Sequence, residues 1–473
     1  MIPHIVTQVR SGSAEQFSGG EPSSESPAGI PTANLRAGLA WYALAHSALI
    51  AAAFRIAVDP EILLGSWQRP AVAAVVHLIT LGWIAGSVFG SLLLLGQGVL
   101  RLGLLAGRRE LIAAPVWALG LAFFISRLAI VDPLGQAAAA SAFSLALGAV
   151  AVRVVRRVQR SPLPFGMRFA LSLSWSNLML AVAGGWLICA GRLGLPIPGT
   201  WVDWRLAHLH LAAVGWVTTL VVGAGARMVP MLLPAAVPRQ GAVATIAALF
   251  GFGAPILAAT LLFAPHWTPI AAIPLLAGAF GWVALVGWML AHPRRPPREL
   301  PQPDPARWLA LAATSFLAAA AVCGAVLALT APSDPSRWAM AYALFGLIGF
   351  QGAMILAVEL RLLPTVAWLL ARRHLGFEVP FPSAHRLPPR RLSLATAAAM
   401  ALSVPLLVFG TFAEAKGIIR AGSVLLAAAP ILHLGVVGNM LLKGRIGPGD
   451  GGPCRDADPD GPARLASAEP DRR

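Results

Sequence analysis

The chain has 473 residues, 57% of them hydrophobic and only 12% charged, against the about 25% charged residues of a typical soluble domain. That balance excludes a soluble globular protein and leaves a polytopic membrane protein. A net charge of +16 would point to nucleic acid in a soluble chain, but here the arginines stand in loops between apolar runs, where they set topology and meet anionic lipid. The expected partner is therefore the lipid bilayer, with no nucleic acid.

Residues 1–34 are polar and bear Ser, Gly and Glu without a charged-then-apolar start. They are expected to form a disordered cytoplasmic N-terminus and not a cleavable signal peptide. A spanning helix needs roughly 20 apolar residues. Twelve such runs fall within residues 35–442, near 37–58, 71–99, 112–131, 137–155, 168–191, 206–233, 241–264, 268–291, 307–331, 338–360, 393–412 and 417–441. Residues 443–473, rich in Gly, Pro, Asp and Arg, are expected to be a second disordered cytoplasmic tail. Arginines cluster in alternate loops: Arg101, Arg108 and Arg109 after the second run, Arg153, Arg156, Arg157 and Arg160 after the fourth. Arg294, Arg295 and Arg298 follow the eighth run, and Arg372, Arg373, Arg386, Arg390 and Arg391 the tenth. The positive-inside rule then places both termini in the cytoplasm, in the inner membrane of the cell, with the second, sixth and tenth helices running inward.

Those three helices carry a repeated motif. HLITLGWIAGSVFG begins at His77 and HLAAVGWVTTLVVG at His210, 133 residues on, with six of fourteen positions identical. A decayed third copy lies 134 residues further, with Leu344 in place of histidine and Gly349-Phe350 for Gly-Trp. It keeps register with the second through Trp204/Trp338, Arg227/Arg361 and Pro230/Pro364. The expected fold is thus all-α and integral to the membrane: three pseudo-symmetric four-helix repeats, about 35–160, 165–292 and 305–442. Gly82, Gly90, Gly215 and Gly223 fit close helix approach. Trp83 and Trp216 fit core filling first and stacking on a cofactor second.

Histidines inside lipid-embedded helices mark candidate chemistry, because neutral imidazole suits heme iron and copper alike. His77 and His210 each lie within two turns of a helix start, about 10 Å deep, and are expected to face a common centre and share a cofactor. The other reading makes each a packing residue bonded to a neighbouring helix. His208 and His210 form H-x-H, whose members point to nearly opposite sides of a helix, so His208 is read as an interfacial residue or as a ligand of a separate site. His46, near mid-membrane, and His433, nearer the cytoplasm, are read as packing residues, proton relays or second ligands. Glu359, close to the expected end of the tenth helix, is read as snorkelling beside Arg361 or as a proton-entry carboxylate. Arg127 and Asp132 are near enough in sequence to pair. Cys189, Cys323 and Cys454 lack C-x-x-C spacing and give neither a disulfide framework nor a zinc site. No P-loop, GxGxxG or metalloprotease motif is present.

Twelve helices in three arcs, with histidines in the outer thirds of the second and sixth, resemble subunit I of heme-copper oxidases and nitric-oxide reductases. The chain is also similar in helix number and buried histidines to the NnrS family of membrane heme proteins. The architectural resemblance covers residues 35–442, and the residue-level one only the two histidine motifs. It implies that His77 stands where the family binds a low-spin heme and His210 where it binds copper. Arg69, Arg205 and Arg337, at the mouths of the second, sixth and tenth helices, are read either as propionate partners through their bidentate forks or as loop arginines that bind lipid phosphates. Two family signatures are missing: 241–264 holds no histidine, and Tyr342-Ala343-Leu344 replaces an H-x-H. Oxygen reduction at a heme–copper pair is therefore not expected. The function expected is a respiratory or nitrogen-oxide-related redox role with heme b, or copper, and a membrane or periplasmic redox partner. The alternative is a cofactor-free transporter or accessory protein of the same fold.

Overall fold

The computed structural model describes residues 32–94, 96, 100, 102–103, 108–330, 332–376 and 381–446. Among these there is no β-strand, and twelve helices are long and apolar enough to cross a membrane. They are α1 Ala33–Val58, α2 Pro70–Leu94, α3 Arg109–Ala129, α4 Pro133–Arg160, α5 Phe165–Arg192 and α6 Trp201–Leu232, then α7 Gln240–Phe263, α8 Pro265–Ala291, α9 Pro305–Leu329, α10 Pro335–Leu375, α11 Arg390–Phe412 and α12 Lys416–Arg445. The protein is thus a polytopic membrane protein. The expected disordered tails lie outside the described residues, except that 32–34 and 443–446 belong to the first and last helices. The tenth helix departs most from expectation, running to Leu375 where the sequence pattern ended it at 360.

The helix starts follow from local chemistry. Thr200 and Asp203 form a capping box at α6, and Asp132, Asp304 and Asp334 accept backbone N–H groups ahead of Pro133, Pro305 and Pro335 at the first turns of α4, α9 and α10. An oxygen acceptor there satisfies orphan donors, and proline gives up a donor that would have no partner. Leu119, Leu145, Phe263 and Trp308 are exposed on the outside of the bundle, a surface suited to lipid, where the helices satisfy their own backbone. The first and last helices are neighbours: α1 packs against both α2 and α12, and α12 against α11 and α10.

Three helices leave α geometry at comparable places. α2 is π-helical over Leu78–Ile84, α6 over Leu211–Thr218 and α10 over Leu344–Gly352. The first two segments begin directly after His77 and His210. A π turn loosens the backbone ladder, and side chains from neighbouring helices donate to the segments' carbonyls. Trp117 Nε1 donates to Leu81 O at 3.0 Å, Ser174 Oγ to Trp216 O at 2.9 Å, and Gln351 Nε2 to Ala213 O at 2.6 Å. Gln351 is itself in the π segment of α10, so one irregular helix supplies a donor to another. The α10 segment packs against those of α2 and α6.

At that junction Trp83 is fully buried and lies flush against Gly352, where an added Cβ would overlap the edge of the indole ring and press on Met400 Cε. Gly82 likewise meets Ala48, and Gly90 the carbonyl of Gly38 at 3.1 Å, so these glycines serve close helix approach. Gly352→Ala should destabilise the protein by about 1–3 kcal/mol through overpacking. A lowered thermal midpoint of the detergent-solubilised variant checks this; an unchanged midpoint would mean that the junction has slack.

Candidate functional site

We call the end of the bundle where the even-numbered helices begin the near end. A cavity of about 660 Å³ opens there among α2 to α10. Its walls are mainly aliphatic and aromatic, with Phe124, Phe143 and Trp216 among them, and its few polar groups include His77, His208, His210, Arg192, Arg205 and Tyr342. Mostly apolar walls with a few convergent polar groups, at a volume inside the range of about 300–1,000 Å³, describe a small-molecule or cofactor site.

The three histidines share one hydrogen-bonding arrangement. His77 Nδ1 is 2.7 Å from Ala73 O, His208 Nδ1 is 2.7 Å from Ala181 O, and His210 Nδ1 is 2.8 Å from Leu206 O. A carbonyl can only accept, so in each ring Nδ1 carries the proton. In the neutral imidazole the lone pair is then on Nε2, the tautomer that a metal takes up. His208 bonds across to α5, where Gly185 makes room for it: an added Cβ would sit 3.3 Å from the ring.

The His77 and His208 ring centroids are 6.2 Å apart, with planes inclined by only 21°. Two metal–nitrogen bonds of about 2 Å plus the two ring radii come to roughly 6 Å. His210 has Tyr342 as its ring neighbour, at 5.9 Å. The ring neighbour of His77 is thus His208, whereas that of His210 is Tyr342, and all three histidines line the cavity. The two members of H-x-H do diverge, one toward His77 and one toward Tyr342, as 100° per residue requires.

Of the proposed propionate partners, Arg205 lines the cavity. Its guanidinium donates to Gln68 O at 2.8 Å and lies 5.3 Å over the Trp67 ring. Arg69 does not line it: its Nη1 donates to Glu61 O at 2.7 Å, closing the loop before α2. Arg337 is also occupied elsewhere, by Asp334, Glu414 and Phe412 O. The second arginine on the cavity is Arg192 at the end of α5, held by Gln136 Oε1 at 2.5 Å. Its position just past an apolar run was the available signal.

A second group lies deeper and outside this cavity. His46 on α1, Glu359 on α10 and His433 on α12 are fully buried, and their ligand atoms all fall within 4.8 Å of one another. Glu359 Oε2 is 3.0 Å from His46 Nε2 and 3.2 Å from His433 Nε2. These three residues could hold a metal ion. The snorkelling pair of Glu359 with Arg361 is overturned: two positions on a helix are about 200° apart, and Arg361 turns to Asp304 instead.

No family model matches the chain, and no curated protein matches it either.

The far end has its own cavity, of about 520 Å³, lined by Arg227, Arg294, Arg295, Arg361 and His385. Burial, and then the nearby Arg361 guanidinium, push the His385 imidazole below its usual range, against the opposing pull of Glu299 and Asp304. At the near end, Lys416 Nζ sits 2.6 Å from Glu61 and holds that exposed carboxyl below the usual carboxylate range. Arg127 and Asp132 do pair, at 3.5 Å. Cys189 and Cys323 are buried free thiols, and Cys454 lies outside the described residues. Trp83 fills the core with no cavity contact, whereas Trp216 is part of the cavity wall.

Proposed function

We propose that the protein is a membrane heme protein of a respiratory or nitrogen-oxide-related electron-transfer system, with heme b in the near-end cavity between His77 and His208. The observation that carries this reading is the pair of near-parallel imidazoles 6.2 Å apart, each with its lone pair on Nε2. Arg192 and Arg205 stand on the same cavity to receive the propionates. Heme iron held by two histidines supplies one-electron transfer, its potential tuned by burial and by the hydrogen bonds behind the ligands. Ala73 O and Ala181 O are those bonds here; they fix each ring and raise its basicity.

The oxidase subunit I-like reading is kept as a distant relationship. Three π segments beginning at 78, 211 and 344 support a triplicated four-helix unit better than the residue motif does, because they appear even where the histidine has been lost. Copper at His210 has less behind it: among the described residues the only group of three metal-ligating side chains is His46, Glu359 and His433.

An optical spectrum of the purified chain, oxidised and then reduced, tests the proposal. It should show a Soret band and a sharp low-spin band on reduction, at one heme per chain by extraction. Protein that folds and carries no heme would leave the cofactor-free transporter or accessory reading in its place.

A further inference from the structure

We propose that His46, Glu359 and His433 form a second, separate site that binds one divalent first-row transition metal ion. The three side chains come from α1, α10 and α12, and α12 packs against both of the others. None of them lines the near-end cavity. From Tyr342, beside His210, to Glu359 is roughly 20–25 Å along α10, so this ion and a heme at His77 would occupy different places.

Two features carry the inference. The first is the donor geometry. Ligands about 2.1 Å from a common metal are about 3.0–3.4 Å from one another, for octahedral and tetrahedral arrangements respectively. The Nε2–Oε2 separations are 3.0 and 3.2 Å, and the imidazole rings meet edge to face, 5.1 Å apart at 72°. Two histidines and one carboxylate with room for further ligands make the set used for iron(II), manganese(II) and zinc(II).

The second is that, beyond the Glu359 carboxylate's own contacts with the two rings, these atoms meet no other polar group. Both nitrogens of His46, both of His433 and both oxygens of Glu359 are buried without a hydrogen-bond partner. The nitrogen–oxygen contacts are close enough for hydrogen bonds, but their directions miss. Inside a membrane an unsatisfied polar group costs several kcal/mol, and ionisable residues at this depth face one another for a functional reason. Tyr42 stacks beside His46 at 6.4 Å, but its hydroxyl bonds Ser91 at 2.7 Å and leaves the three residues to themselves.

The test uses the full chain in detergent, stripped with a chelator and equilibrated by dialysis with Zn(II) alone. Wild-type protein should retain one tight equivalent of zinc by elemental analysis, and its zinc-edge X-ray absorption should show two imidazoles and oxygen without sulfur. Glu359→Gln should lose that equivalent, and His433→Gln should weaken it by more than about 10-fold, the least effect of even an outer-shell partner. His208→Ala should keep the zinc whether or not it keeps heme, so this proposal and the heme proposal fail independently. No zinc equivalent in the wild type, an equivalent that survives in both variants, or a shell without two imidazoles would each overturn the assignment. The last applies even if the variants fail to fold.

Discussion

His208→Ala protein should be purified without low-spin heme, and His77→Ala likewise, while His210→Ala should keep the bis-imidazole spectrum. The heme content of the first two is expected to fall at least about 10-fold, since each variant would lack one of the two imidazoles proposed to hold the heme. His210 should be spared because its ring neighbour is Tyr342, whereas that of His77 is His208. Reduced-minus-oxidised spectra with heme extraction on the three variants make the measurement. A full low-spin spectrum in His208→Ala, or its loss in His210→Ala alone, would show that the wrong member of H-x-H had been chosen.

That choice marks the limit of what the sequence could say about the site. The twelve spans were legible because roughly 20 apolar residues in a row have few other fates. The opposite directions of His208 and His210 were legible too, from helical rotation alone. Which direction faces His77 was not, because it depends on how α6 is rotated against α2 and α5. The Ala181 carbonyl and the space left by Gly185 fix that rotation for His208, and neither is adjacent to it in sequence. The π segments add to the difficulty: a widened turn after His77 and His210 shifts every later side chain relative to a regular helix.

His46 and His433 were legible as possible second ligands, but the place of Glu359 beside them was missed for a different reason. Arg361 and Pro364 look like the end of an apolar helix, so the tenth span was expected to stop at 360, which placed Glu359 at the interface. The helix in fact continues through both residues to Leu375, and the extra turns carry Glu359 to the depth of His46. Histidine and carboxylate at matched depth on α1, α10 and α12 would have been the signal, but it could be read only with the right helix end. Inside that continued helix Arg361 is paired with Asp304.

That pair should be among the most sensitive points of the structure. Both side chains are less than a tenth exposed, Arg361 also reaches Leu232 O at 3.4 Å, and Asp304 caps α9 by accepting from Ala306 N at 3.1 Å. Removing one partner of a buried pair leaves an uncompensated charge and costs about 3–5 kcal/mol. Losing an N-cap costs about 1 kcal/mol more. Asp304→Ala should therefore lower the thermal midpoint sharply. Asp304→Asn separates the two contributions, since asparagine caps a helix as well as aspartate does but leaves Arg361 unpaired. It should fall nearly as far as alanine if the charge dominates. Adding Arg361→Met to Asp304→Asn should restore much of the loss, because an apolar replacement of the whole pair is tolerated where half a pair is not. A single Asp304→Asn variant that melts like the parent protein would mean that water, and not Asp304, meets the Arg361 charge at the far end of the bundle.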